Sequence, residues 1–332
     1  MILNWFSDDY DSDVEEGNGF FIKRRKDINY RNDLDKFDLI FMSNQSLISQ
    51  EMRKQIQKLH NHYTFVKSFD AGYLLNNDYR FVFQPLQICN ELNKISFICG
   101  GSLALANSIH EKNSYKVTYI GNSLLPFEQH SENQSFLGYQ RHLCDYRSLK
   151  YVEEFCPDSL SLGQMKSHPH LIEPILRDTE VLYVNLNVLR TSELPNSGDS
   201  WPSGLITEDL CQILKFAGNS LRLKSIIIDF SGIVPSENNS EAKLIAELYW
   251  YLLEGMRMRQ SDHPIFNSNV SEYVVQISDY DTEIVFIKSN ISQRWWLRLE
   301  EGENIPYVSC AHEEYQLSIQ NEIPERLMRF IV

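Results

Sequence analysis

Five short runs of apolar residues, hardly interrupted by polar ones, constrain this chain more than anything else in it. They are Leu39-Ile40-Phe41-Met42, Ile95-Ser96-Phe97-Ile98-Cys99, Val117-Thr118-Tyr119-Ile120, Val181 to Leu189, and Ser225-Ile226-Ile227-Ile228-Asp229-Phe230. A strand with one face in water alternates apolar and polar residues, whereas a continuous run is covered on both faces. Between the runs the apolar spacing becomes helical. Gln50 to His60 carries Met52, Ile56 and Leu59 on one face, and Leu103, Leu105, Ala106 and Ile109 follow Gly100-Gly101. Thr207 is placed to cap a helix with Glu208 and Asp209 in its first turn. That helix has Leu210, Ile213, Leu214 and Ala217 on its apolar face and Gly218 at its stop. Residues 241–258 hold a broad stripe of Leu244, Ile245, Leu248, Tyr249, Leu252 and Met256. Strands of this kind alternating with helices predict a parallel sheet in a three-layer α/β/α domain. In such a domain the functional side chains sit just past the carboxyl ends of the strands.

After Pro264 the pattern changes. Tyr273-Val274-Val275-Gln276-Ile277, Ile284-Val285-Phe286-Ile287 and Arg294-Trp295-Trp296-Leu297-Arg298-Leu299 read as strands with no helix between them. They predict an antiparallel β extension packed on the main domain. Neighbouring residues on a strand face opposite ways, so one of Trp295 and Trp296 packs inward. If the other face is open, Arg294, Trp295, Trp296 and Arg298 form an interface, since Trp and Arg are typical anchors of one. The expected organisation is an arm over residues 1–35, acidic and then basic, an α/β domain over 36–264, and the β-rich extension over 265–332.

A chain of 332 residues buries a sizeable core. Its formal charge of −14 argues against nucleic acid and against an anionic membrane surface. No apolar run approaches the ~20 residues of a membrane span, and the first residues lack the basic start and apolar core of a signal peptide. Cys89, Cys99, Cys144, Cys156, Cys211 and Cys310 are scattered without a CxxC pair, as in a reduced cytoplasmic protein.

Three strand ends carry further information: Gly100-Gly101-Ser102-Leu103-Ala104, Ile120-Gly121-Asn122-Ser123-Leu124-Leu125, and Tyr183-Val184-Asn185-Leu186-Asn187. Around them lie Phe136-Leu137-Gly138-Tyr139-Gln140, Glu173-Pro174-Ile175-Leu176-Arg177-Asp178, Arg190 to Pro195, Pro202 to Thr207, and Trp250-Tyr251. In order and context this set resembles the arginase and formiminoglutamase family, the ureohydrolases, over roughly residues 38–260, and most of all its formiminoglutamase branch. The resemblance implies an arginase-like fold with a mostly parallel central sheet. For active members it implies two manganese ions held by Gly-Gly-Asp-His, Asp-Ala-His-x-Asp and Ser-x-Asp-x-Asp, with a bridging hydroxide that attacks a guanidinium or formimino carbon.

At those positions the chain departs from the family. Leu103 stands for the first His and Ser102 for its neighbouring Asp; Gly121, Ser123 and Leu125 stand for Asp, His and Asp; Asn185 and Asn187 stand for the last two Asp. Manganese favours anionic oxygen with some imidazole. Without fixed negative charge, two dications about 4 Å apart repel by several kcal/mol even at an effective dielectric near 20. The family's catalytic acid follows the strand at Ile226–Ile228. Asp229 is one position from that place and Phe230 stands at it, and neither is assigned a role. The resemblance therefore implies a pseudoenzyme with no metal, no cofactor and no catalytic residue, and with the seven substituted positions as a vestigial site.

Other candidates carry less. His60 and His62, beside Lys58, read as surface histidines, and His168 and His170 flank Pro169 in a loop where a replacement metal site is conceivable. Ser123 has no Gly-x-Ser-x-Gly elbow around it. Cys99 has no basic neighbour in sequence, and Gly100-Gly101 before a helix is a weak anion signal. Three functions stay open: a cytoplasmic interaction or assembly protein with an unidentified protein partner, a C–N hydrolase with a rebuilt site, and a small-molecule sensor. The family permits a homo-oligomer. A pocket lined by Ser102, Ser123, Asn185 and Asn187 favours the sensor, and one closed by Leu103 and Leu125 favours the interaction protein.

Overall fold

The computed structural model describes residues 5–7, 34–62, 66–131, 133–278, 282–299 and 306–331. Eight strands form one parallel sheet: β1 (Leu39–Ser43), β2 (Ser68–Tyr73), β3 (Ile95–Cys99), β4 (Val117–Ile120), β5 (Gln134–Tyr139), β6 (Leu160–Ser161), β7 (Val181–Asn185) and β8 (Ser225–Asp229). Their order is β2-β1-β3-β8-β7-β4-β5-β6. Each apolar run became a strand, and the four innermost, β3, β8, β7 and β4, are among them. The run from Val181 to Leu189 leaves the sheet at Asn185, whose side chain accepts a hydrogen bond from the Asn187 amide and bends the chain into a 3-10 turn.

β2, β5 and β6 were not expected as strands. β2 reads Ser-Phe-Asp-Ala-Gly-Tyr, without an apolar run. It is nevertheless fully buried, because Arg53 holds Asp70 through Nε at 2.8 Å and Nη2 at 3.0 Å. A buried charge is tolerated when it is paired and hydrogen-bonded in this way.

Helices cover both faces. They are α1 (Leu47–Lys58), α2 (Tyr79–Glu91), α3 (Leu103–Asn113), α4 (Tyr146–Phe155), α5 (Leu162–Ser167), α6 (Ile172–Arg177), α7 (Thr207–Asn219) and α8 (Ser240–Arg257). One apolar layer joins Met52 and Ile56 of α1, Leu210 and Leu214 of α7 and Leu248 and Leu252 of α8 to Phe41, Phe97 and Ile228. The other joins Val82 and Leu86 of α2 and Leu105 and Ile109 of α3 to Ile40, Ile98, Tyr183 and Ile227. Successive residues of one strand thus serve opposite layers, the physical reason for their continuous apolarity.

Gly218 is not the stop of α7. It lies inside the helix, where a Cβ would come 2.3 Å from the Leu252 carbonyl of α8, and Gly255 stands 2.0 Å from Lys215 O in the same sense. The glycines allow two helices to cross at backbone contact. Thr207 is the first helical residue rather than the cap, and its hydroxyl donates to Glu193 at 2.8 Å.

The C-terminal part is an antiparallel sheet of β9 (Val270–Ile277), β10 (Thr282–Ser289), β11 (Trp295–Arg298) and β12 (Tyr307–Cys310), in the order β12-β11-β10-β9. Two helices that the sequence reading missed follow it, α9 (His312–Ile319) and α10 (Glu325–Ile331). Trp295 and Trp296 are both buried, so the expectation of an open interface at Arg294, Trp295, Trp296 and Arg298 is corrected. The Arg177 guanidinium lies 4.8 Å over the Trp296 ring and donates to Trp295 O at 2.9 Å. Arg294 pairs with Glu173 at 3.2 Å and Asp262 at 3.4 Å, and Arg298 with Glu272 at 3.0 Å. The cluster joins the extension to the main sheet's helices within one chain. Most of the N-terminal arm lies outside the described residues, but Phe6 is buried and bridges antiparallel to Leu74. Among the described residues no helix is long and apolar enough to cross a membrane.

Candidate functional site

The residues after β3, β8, β7 and β4 lie on one edge of the sheet, side by side. Gly100 ends β3 with φ +78°, and a Cβ there would overlap the Asn44 amide at the end of β1. A left-handed backbone in so tight a place requires glycine. Ser102 caps α3, its hydroxyl accepting from the Leu105 amide. Leu103 packs against the apolar layer under α3, and Leu125 is buried in that same layer. Ser123 is exposed. Asn185 is in register with Asp229 and spends its side-chain oxygen on the Asn187 amide at 2.9 Å. The oxygen of Asn187 in turn accepts from the Ser197 hydroxyl.

Asp229 is buried at this edge. Its two oxygens accept from the Tyr183 hydroxyl at 2.6 Å and the Ser231 amide at 2.8 Å. Burial pushes the Tyr183 hydroxyl pKa far up, and the Asp229 carboxylate adds to the effect. The phenol therefore remains a donor throughout the working pH range.

A feature absent from the sequence reading covers this edge. The segment from Thr191 to Gly204 crosses from β4 to the chain beyond β8. Asn122 donates to Asp199 O at 3.1 Å, and Gln140 to Ser203 O at 2.9 Å. On the other side Ser197 bridges Ile233, and the Val234 amide donates to Asn196 O at 3.2 Å. Arg190 to Pro195 and Pro202 to Thr207 were noticed only as family markers, because nothing local tells that the residues between them span the edge.

Beside the covered edge, toward β1, a cavity of about 300 Å³ is lined by Asn44, Ser46, Leu47, Ile48, Gly100, Phe230, Ser231, Ile233 and Pro235. None of Ser102, Leu103, Gly121, Ser123, Leu125, Asn185 and Asn187 lines it. The histidine pairs stand apart from the edge's chemistry. The His60 and His62 rings stack 6.2 Å apart with His62 against Trp250, and the His168 and His170 rings are 5.8 Å apart. Among the described residues no group of three or more His, Cys, Asp or Glu is arranged to hold a metal ion. Cys99 is buried with its sulfur 3.4 Å from Met52 Sδ, and burial pushes its thiol far above the ordinary range. It has no access to act as a nucleophile.

No protein-family model matches the sequence, and no curated protein matches it. Solved structures do match. A formiminoglutamase of Trypanosoma cruzi with Mn2+ superposes at a TM-score of 0.60 with 13% identity, covering 70% of this chain and 97% of that one. The fold is that of the formiminoglutamases. A formimidoylglutamase from Bacillus subtilis matches at 0.54 with 14% identity over 67% of this chain and 87% of its own. A proclavaminate amidino hydrolase from Streptomyces clavuligerus matches at 0.54 with 13% identity, covering 68% and 93%. At such identities the likeness is one of architecture.

The formiminoglutamase fold brings with it the question of a manganese pair. At the seven positions the chain offers two amides, two hydroxyls, two leucines and a glycine. The amide oxygens and the Ser102 hydroxyl are already engaged within the protein, and Asp229 is held by Tyr183 and Ser231. Neutral amides and hydroxyls, with a single carboxylate that is already engaged, do not fit two hard dications.

Proposed function

We propose that this protein is a pseudoenzyme on a formiminoglutamase fold: it binds no metal pair, hydrolyses no C–N bond, and serves as an interaction or assembly component in the cytoplasm. The observation that carries the reading is the burial of Leu125 in the apolar layer beneath α3, with Leu103 half-buried against the same layer. Of two places where the family puts metal-binding side chains, one is occupied by core and the other by an apolar side chain resting on it. The amides of Asn185 and Asn187 support the same reading, since each is spent on internal hydrogen bonds. They keep the shape of aspartate without the expense of unpaired buried charge.

A sensor is the second reading, and the 300 Å³ cavity beside the edge favours it. Its lining comes from the ends of β1, β3 and β8 and the start of α1, so a sensor would use a neighbouring pocket instead of the vestigial site.

The test is direct. Purified protein is incubated with Mn2+, desalted and analysed for metal, then assayed for urea and formamide release from guanidino and formimino compounds. The expected result is metal well below one ion per chain and no release. Two ions per chain with release of either product would overturn the proposal. Affinity capture from the native cell, followed by reconstitution with the purified candidate, identifies the partner, which can be a second copy of the chain.

A further inference from the structure

The two sheets end in four edge strands, and three of them offer little to another strand. Residues 5–7 run along the end of β2, where the Ser7 amide donates to Tyr73 O at 2.8 Å and the Leu75 amide to Trp5 O at 3.0 Å. β6 is two residues long. The edge of β12 is taken by side chains: the Ser309 amide donates to Asp178 at 3.1 Å, and Arg326 donates to Ser309 O at 2.7 Å. The fourth edge is β9, whose eight residues pair with β10 in unbroken antiparallel register.

The pair just before β9 fixes which of its backbone groups point outward. The Asn290 amide donates to Asn269 O at 3.1 Å, in the register that continues through Val270 and Ser289. Bonded and non-bonded pairs alternate along an antiparallel ladder, so the odd-numbered residues of β9 turn their amides and carbonyls to β10. Those of Val270, Glu272, Val274 and Gln276 point away from it, and among the described residues nothing bonds to them. Edge strands are ordinarily guarded by lysine, proline or a bulge. β9 reads Val-Ser-Glu-Tyr-Val-Val-Gln-Ile and has none of these. Its single charge, Glu272, is turned back to Arg298 at 3.0 Å, and Val274 at its middle is 62% exposed.

We propose that β9 pairs with β9 of a second copy of this chain, antiparallel about a two-fold axis through Val274, joining two four-stranded sheets into one. The strand is self-complementary in that register. Outward amides and carbonyls meet their like, forming about six main-chain hydrogen bonds. Glu272 stands opposite Gln276 of the other copy, whose side-chain amide donates to one carboxylate oxygen while Arg298 holds the other. On the opposite face Tyr273 meets Val275, an aromatic against a β-branched side chain, which favours cross-strand pairing. The exposed valine is covered by its own equivalent. Charge selects this register over its neighbours. An axis through Glu272 sets carboxylate against carboxylate, and one through Tyr273 sets each Glu272 against a valine with the two carboxylates on one diagonal. The junction names the partner for the assembly role proposed above and rests on that reading. The pairing itself belongs to the extension and does not involve the strand ends that carry Asn185 and Asn187.

Sedimentation equilibrium of the full chain, from about 1 to 500 µM, measures the association. A junction of two strands is small, so a reversible monomer–dimer equilibrium with a Kd of roughly 1–100 µM is expected. Two variants should act in opposite directions. Gln276→Glu opposes carboxylates twice in each dimer and should weaken association about threefold to tenfold, whereas Gln276→Lys opposes ammonium and carboxylate and should tighten it by a similar factor. Val274→Lys puts two ammonium groups on the axis and should abolish the dimer. Val274 and Gln276 are exposed, so the melting temperatures of dilute variants should stay close to the parent's. A chain that remains monomeric at about 500 µM overturns the proposal, as does capture of another protein's strand by such a monomer. So does a dimer that the two Gln276 variants leave unchanged or shift in the same direction. Bound manganese with product release, the result that ends the pseudoenzyme reading, leaves these sedimentation profiles as they are, so the two failures are told apart.

Discussion

The Tyr183 hydroxyl on β7 donates to Asp229 at the end of β8 across 2.6 Å, while the Ser231 amide takes the other carboxylate oxygen at 2.8 Å. The Asp229 carboxylate is therefore a link between two central strands. This separates a structural acid from a catalytic one by experiment. Asp229→Asn retains an acceptor for Tyr183 and should cost about 1 kcal/mol. Asp229→Leu leaves two buried donors unmet and should cost about 2–3 kcal/mol or more. Urea denaturation measures both. A pair of variants equally as stable as the parent would refute the structural role.

The second link joins distant parts of the chain. Arg326 of α10 meets Asp158 at 2.9 Å and Glu314 at 2.7 Å, all of them buried, and Lys116 reaches the other side of Asp158. Burial alone would raise the Asp158 pKa, but the charges of Lys116 and Arg326 outweigh it and hold the carboxyl far below its ordinary value. A depressed folded pKa contributes stability that is present in full above the unfolded value of about 3.9 and is lost as pH falls below it. The melting temperature should therefore fall steeply below about pH 4. Arg326→Met should cost about 3–5 kcal/mol at pH 7, since two acids stay buried, and should flatten the acid limb. Calorimetry from pH 3 to 7 on both proteins decides it.

Gly255→Ala places a methyl group where the Lys215 carbonyl already sits, 2.0 Å from the ideal Cβ position. Alanine usually favours a helix by about 1 kcal/mol over glycine. Here the sign should reverse, with a loss of about 1–3 kcal/mol as α7 and α8 are forced apart. A thermal melt shows which effect wins.

Thiol labelling should follow burial. Cys99 and Cys310 are buried with thiols pushed far up, and Cys89 is pushed up to about 12. Cys144 is only half-buried. In native protein at pH 8, iodoacetamide should modify Cys144 first and spare the other three, while all six react in denaturant. Peptide mass spectrometry counts the modified sites, and early labelling of Cys99 would show that the core opens.

Much of the central architecture was legible because its signal is local. The apolar continuity of Ile226-Ile227-Ile228 reports two covered faces without reference to any other residue. β2 stayed hidden because its burial depends on Arg53, which lies 17 residues before Asp70. Gly218 was misread as a helix stop because the contact that explains it comes from Leu252 of another helix. α9 and α10 were missed within a tail whose strands dominated the pattern, and part of that stretch lies outside the described residues.

By itself the sequence determined that β3, β4, β7 and β8 would be strands covered on both faces, and which residues would stand at their carboxyl ends. Both follow from patterns a few residues long. Only the tertiary structure decided what became of those residues: Leu125 sinks into the layer beneath α3, Asn187 is tied to Ser197, and the segment from Thr191 to Gly204 spans the edge. The tie between Arg326 and Asp158 belongs to the same class, its partners standing 168 positions apart in the sequence. Periodicity is a property of neighbours along the chain, whereas closing a site or pairing a buried charge depends on groups that meet only after the sheet has formed.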